Sequence, residues 1–585
     1  MKRFLSTGKM FAYESSLANY PLDNLEVYFR KYIHSLKPFF SESQLQETQK
    51  SIENTLSQHG PEVFEALLHK NQNHKNHVDE AWFSSQSYSQ RESLLESNFS
   101  MTFSYDRGFP SARDGCNAAG MFCSGLLEYR QLIKSQNLKP DIIGTNLVYD
   151  MSQYNYLFGV SRIPMKKSDK LATWKDSQHL VVFRNNSVFL VPAFDYNGQP
   201  LPSKTLEIMF RKVCESAQTE ERVPVSMISL DQRDKSAELT QHLESLSEQN
   251  RKNLELINSA ICTISIEDNV VQDPEELYNN IYSGTGKNRW LNKSMHAVFF
   301  ANGTGGLSFE QSQSHGILFH KAIHDIYYKI FEQLKTKATL QPTIPEPVKL
   351  EFTYDEKFLK LFAESQTRVN DFLNKLTSST RRFESYKRLS DVFKVIPPSS
   401  LMQLSFQLAW HKKFNEPLLA AEIVEQRNFY RGKWDFLRVC TPEIKHMCET
   451  LCSSSSQSQK LQALKEAINS HYSSAKEVIY GRGIDTPLWA VQKQAEEMGF
   501  ELPVFKDPLW EQSKKFLLST MFFGNSNVSF GQAPFEHKGL GSFYSFQDPF
   551  VTLTVTGSEQ SLIPPKEWAS LVMAAMKEIQ DLVTQ

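Results

Sequence analysis

The 585-residue chain lacks any apolar run approaching the roughly 18 residues needed to span a bilayer. Its densest stretch, FLLSTMFF from Phe516 to Phe523, is short and suits a core. Net charge is also small: 64 Lys and Arg against 66 Asp and Glu leave −2, so composition calls for neither a polyanion partner nor an anionic membrane. Cysteine is scarce and odd in number, seven residues scattered from Cys116 to Cys452. That argues against a disulfide framework and for a reducing compartment. Short-period repeats are missing too, and the terminal Val583-Thr584-Gln585 does not match the peroxisomal tripeptide. What is plentiful is core material. Hydrophobic residues make up 40%, with 41 Phe and 21 Tyr, enough for several domains or one large bilobed unit.

Basic residues Lys2, Arg3 and Lys9 precede the first acid, Glu14, so residues 1–18 are similar to a mitochondrial presequence, here expected to be retained. Residues 19–85 carry helical periodicity between Leu25 and His77. QHLVVFRNNSVFLVPAF, Gln178 to Phe194, predicts a β-hairpin turning at Asn185-Asn186. Ser236 to Ile261 predicts one long amphipathic helix, MHAVFFA from Met295 a buried strand, and Phe309 to Leu334 a helix following a glycine turn. Three prolines between Thr336 and Phe352 mark a boundary, which divides the chain into lobes at 86–340 and 341–585. In the second half CSSSSQSQ, Cys452 to Gln459, predicts a flexible loop, and FVTLTVTG from Phe550 a strand.

Six segments in order then carry a resemblance. QYNYLFGVSRIP, the hairpin, GKNRWLNKSMHAVFFANGTGGLSFEQSQSHG, GRGIDTPLWAVQ, LST at Leu518 and FGQAPFEHKGLGSFY are similar to motifs of the carnitine/choline acyltransferase family. The resemblance covers most of the chain from Asn19. It implies an α/β fold of two similar lobes, each resembling chloramphenicol acetyltransferase, with a tunnel along their interface. Coenzyme A is expected from one side and the acyl acceptor from the other. A histidine between them would take the acceptor's proton.

Several positions that the resemblance makes functional hold other residues. Gln311 stands where the family has its histidine, and an amide has no useful proton affinity. His315, one turn further on a helix, is the candidate replacement base. Met521 replaces the hydroxyl expected to support the oxyanion, a loss of about 10²–10³ in rate. Around the acceptor, Ala421, Trp434 and Thr486 stand for a tyrosine, a threonine and an arginine, so that a cation and two hydroxyls become a methyl, an indole and one hydroxyl, with Ser519 a further acceptor position. A carboxylate such as carnitine's would then lack a counter-charge. Lys387, Arg388 and Lys394 are what remains of a basic cluster for coenzyme A, with Ser399 at its acidic position. No resident cofactor or metal is expected: His320 with His324, and His446 with Cys448 and Cys452, lack completing ligands in sequence and are expected to be structural.

Two readings follow. The first is an inactive member of the fold, an accessory subunit of a multi-subunit mitochondrial assembly. The second is an active acyl-CoA-dependent acyltransferase with an altered acceptor and His315 as base. A tunnel blocked by Trp434 and Met521 favours the first; an open tunnel lined by His315 favours the second.

Overall fold

Asn185 and Asn186 both take left-handed backbone, φ 47° and 64°, the two-residue turn whose twist suits paired strands. The hairpin is therefore where the sequence puts it, inside the larger of two sheets. The structure, a computed structural model, describes residues 9–79, 87–103, 112–144, 146–334, 344–385, 387–524, 526 and 528–584.

In chain order the strands are β1 (Phe99–Thr102), the ribbon β2 (Ile142–Ile143) with β3 (Leu147–Val148), and the ribbon β4 (Val160–Ile163) with β5 (Lys170–Thr173). The hairpin β6 (His179–Arg184) and β7 (Ser187–Pro192) follows, then β8 (Thr263–Ile266), β9 (His296–Phe299) and β10 (Gly305–Phe309). The later half adds β11 (Val348–Lys349), β12 (Leu376–Glu384), β13 (Ala420–Glu425) and β14 (Trp434–Arg438). It ends with β15 (Leu518–Phe522), β16 (Phe530–Gly531), β17 (Leu540–Gln547) and β18 (Phe550–Ser558).

The eight-stranded sheet runs β11-β7-β6-β8-β9-β10-β1-β16, and the six-stranded sheet runs β12-β18-β17-β15-β13-β14. Each has a parallel centre, β6-β8-β9 in one and β13-β15-β17 in the other, flanked by antiparallel strands. The two halves thus repeat one α/β plan, each packing helices on its sheet around its own apolar cluster. The halves also interpenetrate. β16 comes from the second half yet pairs with β1, Ser100 opposite Gly531 and Met101 opposite Phe530. At that seam the Phe99 ring stacks on Phe309, Phe523 and Phe530 at 5.3, 5.5 and 6.1 Å. Residues beyond the prolines turn back to the first lobe: β11 pairs with β7, and Phe358, Phe362 and Val369 of the helix Glu356–Lys375 pack with Val181, Phe183 and Trp290. Residues 335–343 of the boundary stretch lie outside the described residues. The N-terminal helices Leu25–Leu36, Glu42–Ser57 and Gly60–His74 pack instead on the second lobe, against Leu488, Val491 and Trp510. Residues 1–8 of the basic segment also lie outside the described residues; from Met10 it docks, Met10 being buried in the first lobe's core and Ala18 bridging to Phe429.

Three elements differ from expectation. The long amphipathic stretch is two helices, Arg233–Leu246 and Glu248–Ser259, because Ser247 leaves the helix (φ −161°) and its hydroxyl caps the second by accepting from the Asn250 N–H at 3.0 Å. The serine-rich loop is shorter than expected, since Ser456 and Gln459 form a capping box that starts the helix Gln457–Ile479. The helix expected from Phe309 begins only at Gly316.

A cavity between the lobes

The third difference shapes the site. Gly305 and Gly306 look like a turn but lie in β10, because a Cβ on Gly306 would come within 2.3 Å of the Met101 carbonyl of β1. Only glycine allows that approach. The chain then leaves the sheet at Phe309 into a polar loop, 310–315, held by side chains rather than helical bonds. Ser312 Oγ donates to Glu310 Oε2 at 2.8 Å, Gln313 Nε2 to the Tyr88 hydroxyl at 2.5 Å, and Ser314 Oγ to the Gln153 carbonyl at 2.9 Å. The His315 N–H donates to Gln153 Oε1 at 2.9 Å. Gln311 and His315 are therefore not neighbours on a helical face, as their spacing suggested; the loop brings each separately to one cavity.

That cavity, of about 270 Å³, opens between the lobes and is lined by Gln311, His315, Trp434 and Met521 together. The indole and the thioether are both part of its lining. Strand alternation sets the face each residue takes. Met521 on β15 and Ile423 on β13 point in, whereas Thr520 and Glu422 point to the other face, where Gln403 and Tyr544 bind them. Ala421 and Ser519 sit opposite one another in register on the face that Ile423 and Met521 share, both buried but outside the cavity lining, and among the described residues the Ser519 hydroxyl has no hydrogen-bond partner. Thr486 is outside the lining as well. Its N–H donates to Asp435 Oδ1 at 3.0 Å, and its hydroxyl to the Trp434 carbonyl at 3.5 Å. Nearby Arg438 makes a two-pronged contact with Asp485, 2.9 and 2.7 Å, so its charge is already matched.

Gln311 is anchored. Its Nε2 donates to the Ser97 carbonyl at 2.8 Å and to Gln532 Oε1 at 2.6 Å, joining β1's approach, the central loop and the strand exchanged from the second half. His315 is buried and among the described residues its Nδ1 has no hydrogen-bond partner; Glu425 Oε1 lies 4.0 Å away. Burial, helped by the Arg427 guanidinium, pulls the imidazole down to about 3. That guanidinium is held by Glu425 at 2.6 Å and Asp141 at 2.9 Å. His315 thus stays neutral at physiological pH and is a feeble proton acceptor.

A second buried network forms the floor. Arg162 and Arg233 each donate through Nε to Asp169 Oδ2 at 2.7 Å, and Arg162 Nη1 reaches Glu310 at 3.5 Å. Burial alone would raise Asp169; the two guanidiniums outweigh it and hold the carboxyl below its ordinary range. Lys387 is half-buried, and Arg388 and Lys394 are exposed around the short helix Leu389–Val392, Lys394 pairing with Asp391 at 2.7 Å. None of the three lines the central cavity. His320 lies edge-on to Phe523, ring centroids 5.6 Å apart, while His324 is exposed beside Asp325. Cys448 is buried and Cys452 exposed. Among the described residues no three His, Cys, Asp or Glu side chains converge as a metal site.

Sequence reasoning missed one wall. Glu92, Glu96 and Ser97 line the cavity together with Trp434, and Glu96 and Pro534 also line a smaller cavity of about 180 Å³. Burial pushes the Glu96 carboxyl up against the pull of His537. The one local signal was Ser93, which caps the short helix Leu94–Ser97 by accepting from the Leu95 N–H.

Two mixed sheets enclosing an interface cavity define a two-lobed CoA-dependent acyltransferase fold. The model of the Choline/Carnitine o-acyltransferase family matches residues 20–563, and the chain belongs to that family. Coenzyme A is a substrate of the family rather than a resident group. Among similar proteins, mouse (Mus musculus) peroxisomal carnitine O-octanoyltransferase is 25% identical over 601 residues, 98% of this chain and 97% of that one. Human (Homo sapiens) mitochondrial carnitine O-palmitoyltransferase 2 is 24% identical over 613 residues, 97% and 92% of the two chains. A solved structure, the starter condensation domain of rhizomide synthetase RzmA, aligns with 86% of this chain and 94% of its own at 9% identity and a TM-score of 0.35.

Proposed function

We propose that the chain is a catalytically inactive member of its family, an accessory subunit of a multi-subunit mitochondrial assembly. The observation that carries this reading is Gln311. The residue at the centre of the cavity is an amide whose donors are both engaged, by Ser97 and Gln532. It takes no proton, and a positioned base is worth about 10²–10⁴ in rate. His315 does not restore the function, because burial and the Arg427 guanidinium strip the imidazole of useful proton affinity, and Met521 brings no donor to an oxyanion. The mitochondrial placement is supported by the basic, acid-poor start at Lys2, Arg3 and Lys9 and by similarity to a mitochondrial relative, although other relatives are peroxisomal. The purified chain, assayed with acetyl-, octanoyl- and palmitoyl-CoA against carnitine and choline, is expected to show no turnover above background; measurable transfer overturns inactivity. Native-size separation of the endogenous protein is expected to place it well above its own 67.3 kDa, and migration at that mass overturns the assembly.

One observation favours the second reading, transfer to an altered acceptor: the cavity is open and His315 lines it. Under that reading any turnover found disappears in His315→Ala and persists in Gln311→Ala.

A further inference from the structure

The scarcity of cysteine conceals one close pair. Cys116, in the first turn of the helix Gly115–Lys134, and Cys214, in the last turn of Ser203–Ser216, have their sulfurs 3.6 Å apart. Among the described residues no other two thiols are hydrogen-bonded to each other. The two helices run antiparallel and closely: a Cβ on Gly120 would lie 2.7 Å from the Ser203 carbonyl, and Asn117 Nδ2 donates to Glu207 at 2.9 Å. Arg211 ties the same ends together, contacting Asp114 at 2.7 Å and Glu207 at 2.9 Å. Cys116 is buried and Cys214 half-buried, so one sulfur is shielded and the other is reachable.

We propose that Cys116 and Cys214 are a redox-modification site, closed to a disulfide by a peroxide and reopened by a dithiol. The step balances. The Cys214 thiolate attacks the peroxide, forming an S–O bond and breaking O–O, and the departing hydroxide takes up a proton as water. The Cys116 sulfur then attacks the resulting sulfenic acid, S–S replaces S–O, and the second hydroxide leaves with the Cys116 proton. Two thiols lose two electrons, the peroxide gains them, and two waters result. The sulfurs close from contact to the roughly 2.0 Å of a bond by side-chain rotation, because the helix backbones already touch. Attack starts at Cys214 because it is the reachable sulfur of the pair, and its contact with Cys116 together with Arg184 and Arg211 nearby holds this thiol below its ordinary value.

The site has a structural consequence. Gly115 lies against the Phe300 carbonyl, 2.6 Å from where its Cβ would be, and Gly303 lies against Ala112. That turn feeds β10 and then Gln311, so the cross-link fastens the support of the cavity loop.

The test uses the full chain, titrated with hydrogen peroxide, quenched with an alkylating reagent in denaturant so that buried thiols also react, and peptide-mapped without reduction. A Cys116–Cys214 linked peptide is expected before oxidation of the exposed Cys452, with alkylation of both pair members falling to background and returning after dithiothreitol. In Cys116→Ser, Cys214 is expected to be trapped as a sulfenic acid by dimedone, with no linked peptide. Cys214→Ala, read by the same map, guards against a misfolded first variant and is expected to leave Cys116 alkylatable throughout. The proposal is overturned if Cys452 oxidises while Cys116 and Cys214 stay alkylatable, or if Cys214 links to a second chain instead.

Discussion

The cavity has two unlike walls. The first lobe contributes a mainly polar wall, Glu96, Ser97, Arg162, Glu310, Gln311 and Ser312 beside Phe99, and the second a mainly apolar one, Ile423, Trp434, Met521 and Phe535 beside Gln532. Polarity on the first wall is largely spent internally. Gln311 binds Ser97 and Gln532, Ser312 binds Glu310, and Arg162 is committed to Asp169. The second wall offers a thioether and aromatic rings, with the indole of Trp434 edge-on to Phe436 at 5.2 Å. A site that moves charge needs donors left free to meet it, and those of Gln311, Ser312 and Arg162 are already engaged. The contrast teaches that a polar lining is not the same as an available one.

The sharpest way to break the contrast is at the floor. Arg162→Ala leaves Asp169 and Glu310 short of a partner in a buried setting and is expected to cost about 3–5 kcal/mol, read by denaturant unfolding. A cost below about 1 kcal/mol would mean that the polar wall is solvated rather than internally bound. His315 gives the next effect. Its folded pKa lies near 3 against an ordinary 6.5, so the folded state refuses a proton that the unfolded chain accepts. Its contribution is intact above pH 6.5 and shrinks as pH falls towards 3, amounting to about 2 kcal/mol lost by pH 5. His315→Leu should flatten the stability profile between pH 7 and pH 5 by that amount, and an unchanged slope would place the imidazole in solvent.

Gln311→His tests the walls together. It is expected to cost about 1 kcal/mol by breaking the Gln532 bond and to yield no acyl transfer above background, since Met521 still supplies no donor. Turnover in this single variant would show the apolar wall to be competent. The smallest effect is expected of Trp434→Thr, which trades a half-buried indole for a hydroxyl. Stability should shift by about 1 kcal/mol, and calorimetry should still detect no carnitine binding, because no arginine stands at Thr486.

Legibility in the sequence followed the range of the forces involved. The hairpin was readable because Asn185-Asn186 states its own backbone conformation, and β18 because Val551, Leu553 and Val555 alternate with threonines. Periodicity overran the helix break at Ser247, where one hydroxyl cap outweighs a continuous apolar stripe. It also misread 310–315, where Tyr88 and Gln153, distant in sequence, supply the bonds a helix would have made. Gln311, His315, Trp434 and Met521 were found by position within a resemblance and do meet at one cavity; Ala421, Ser519 and Thr486 were found the same way and do not line it. Glu96 and Gln532 were invisible because only the closing of one half on the other makes them neighbours of the site.

The exchanged strand β16 bears on how the molecule comes apart. An edge of the larger sheet is lent by the other half, and Gln532 just beyond it grips the central loop. Separate expression of either half would leave β1 with bare backbone amides and carbonyls and strand the lent segment in water. A single protease nick in the 344–347 stretch should therefore leave the fragments bound through purification, and they should melt together as one unit.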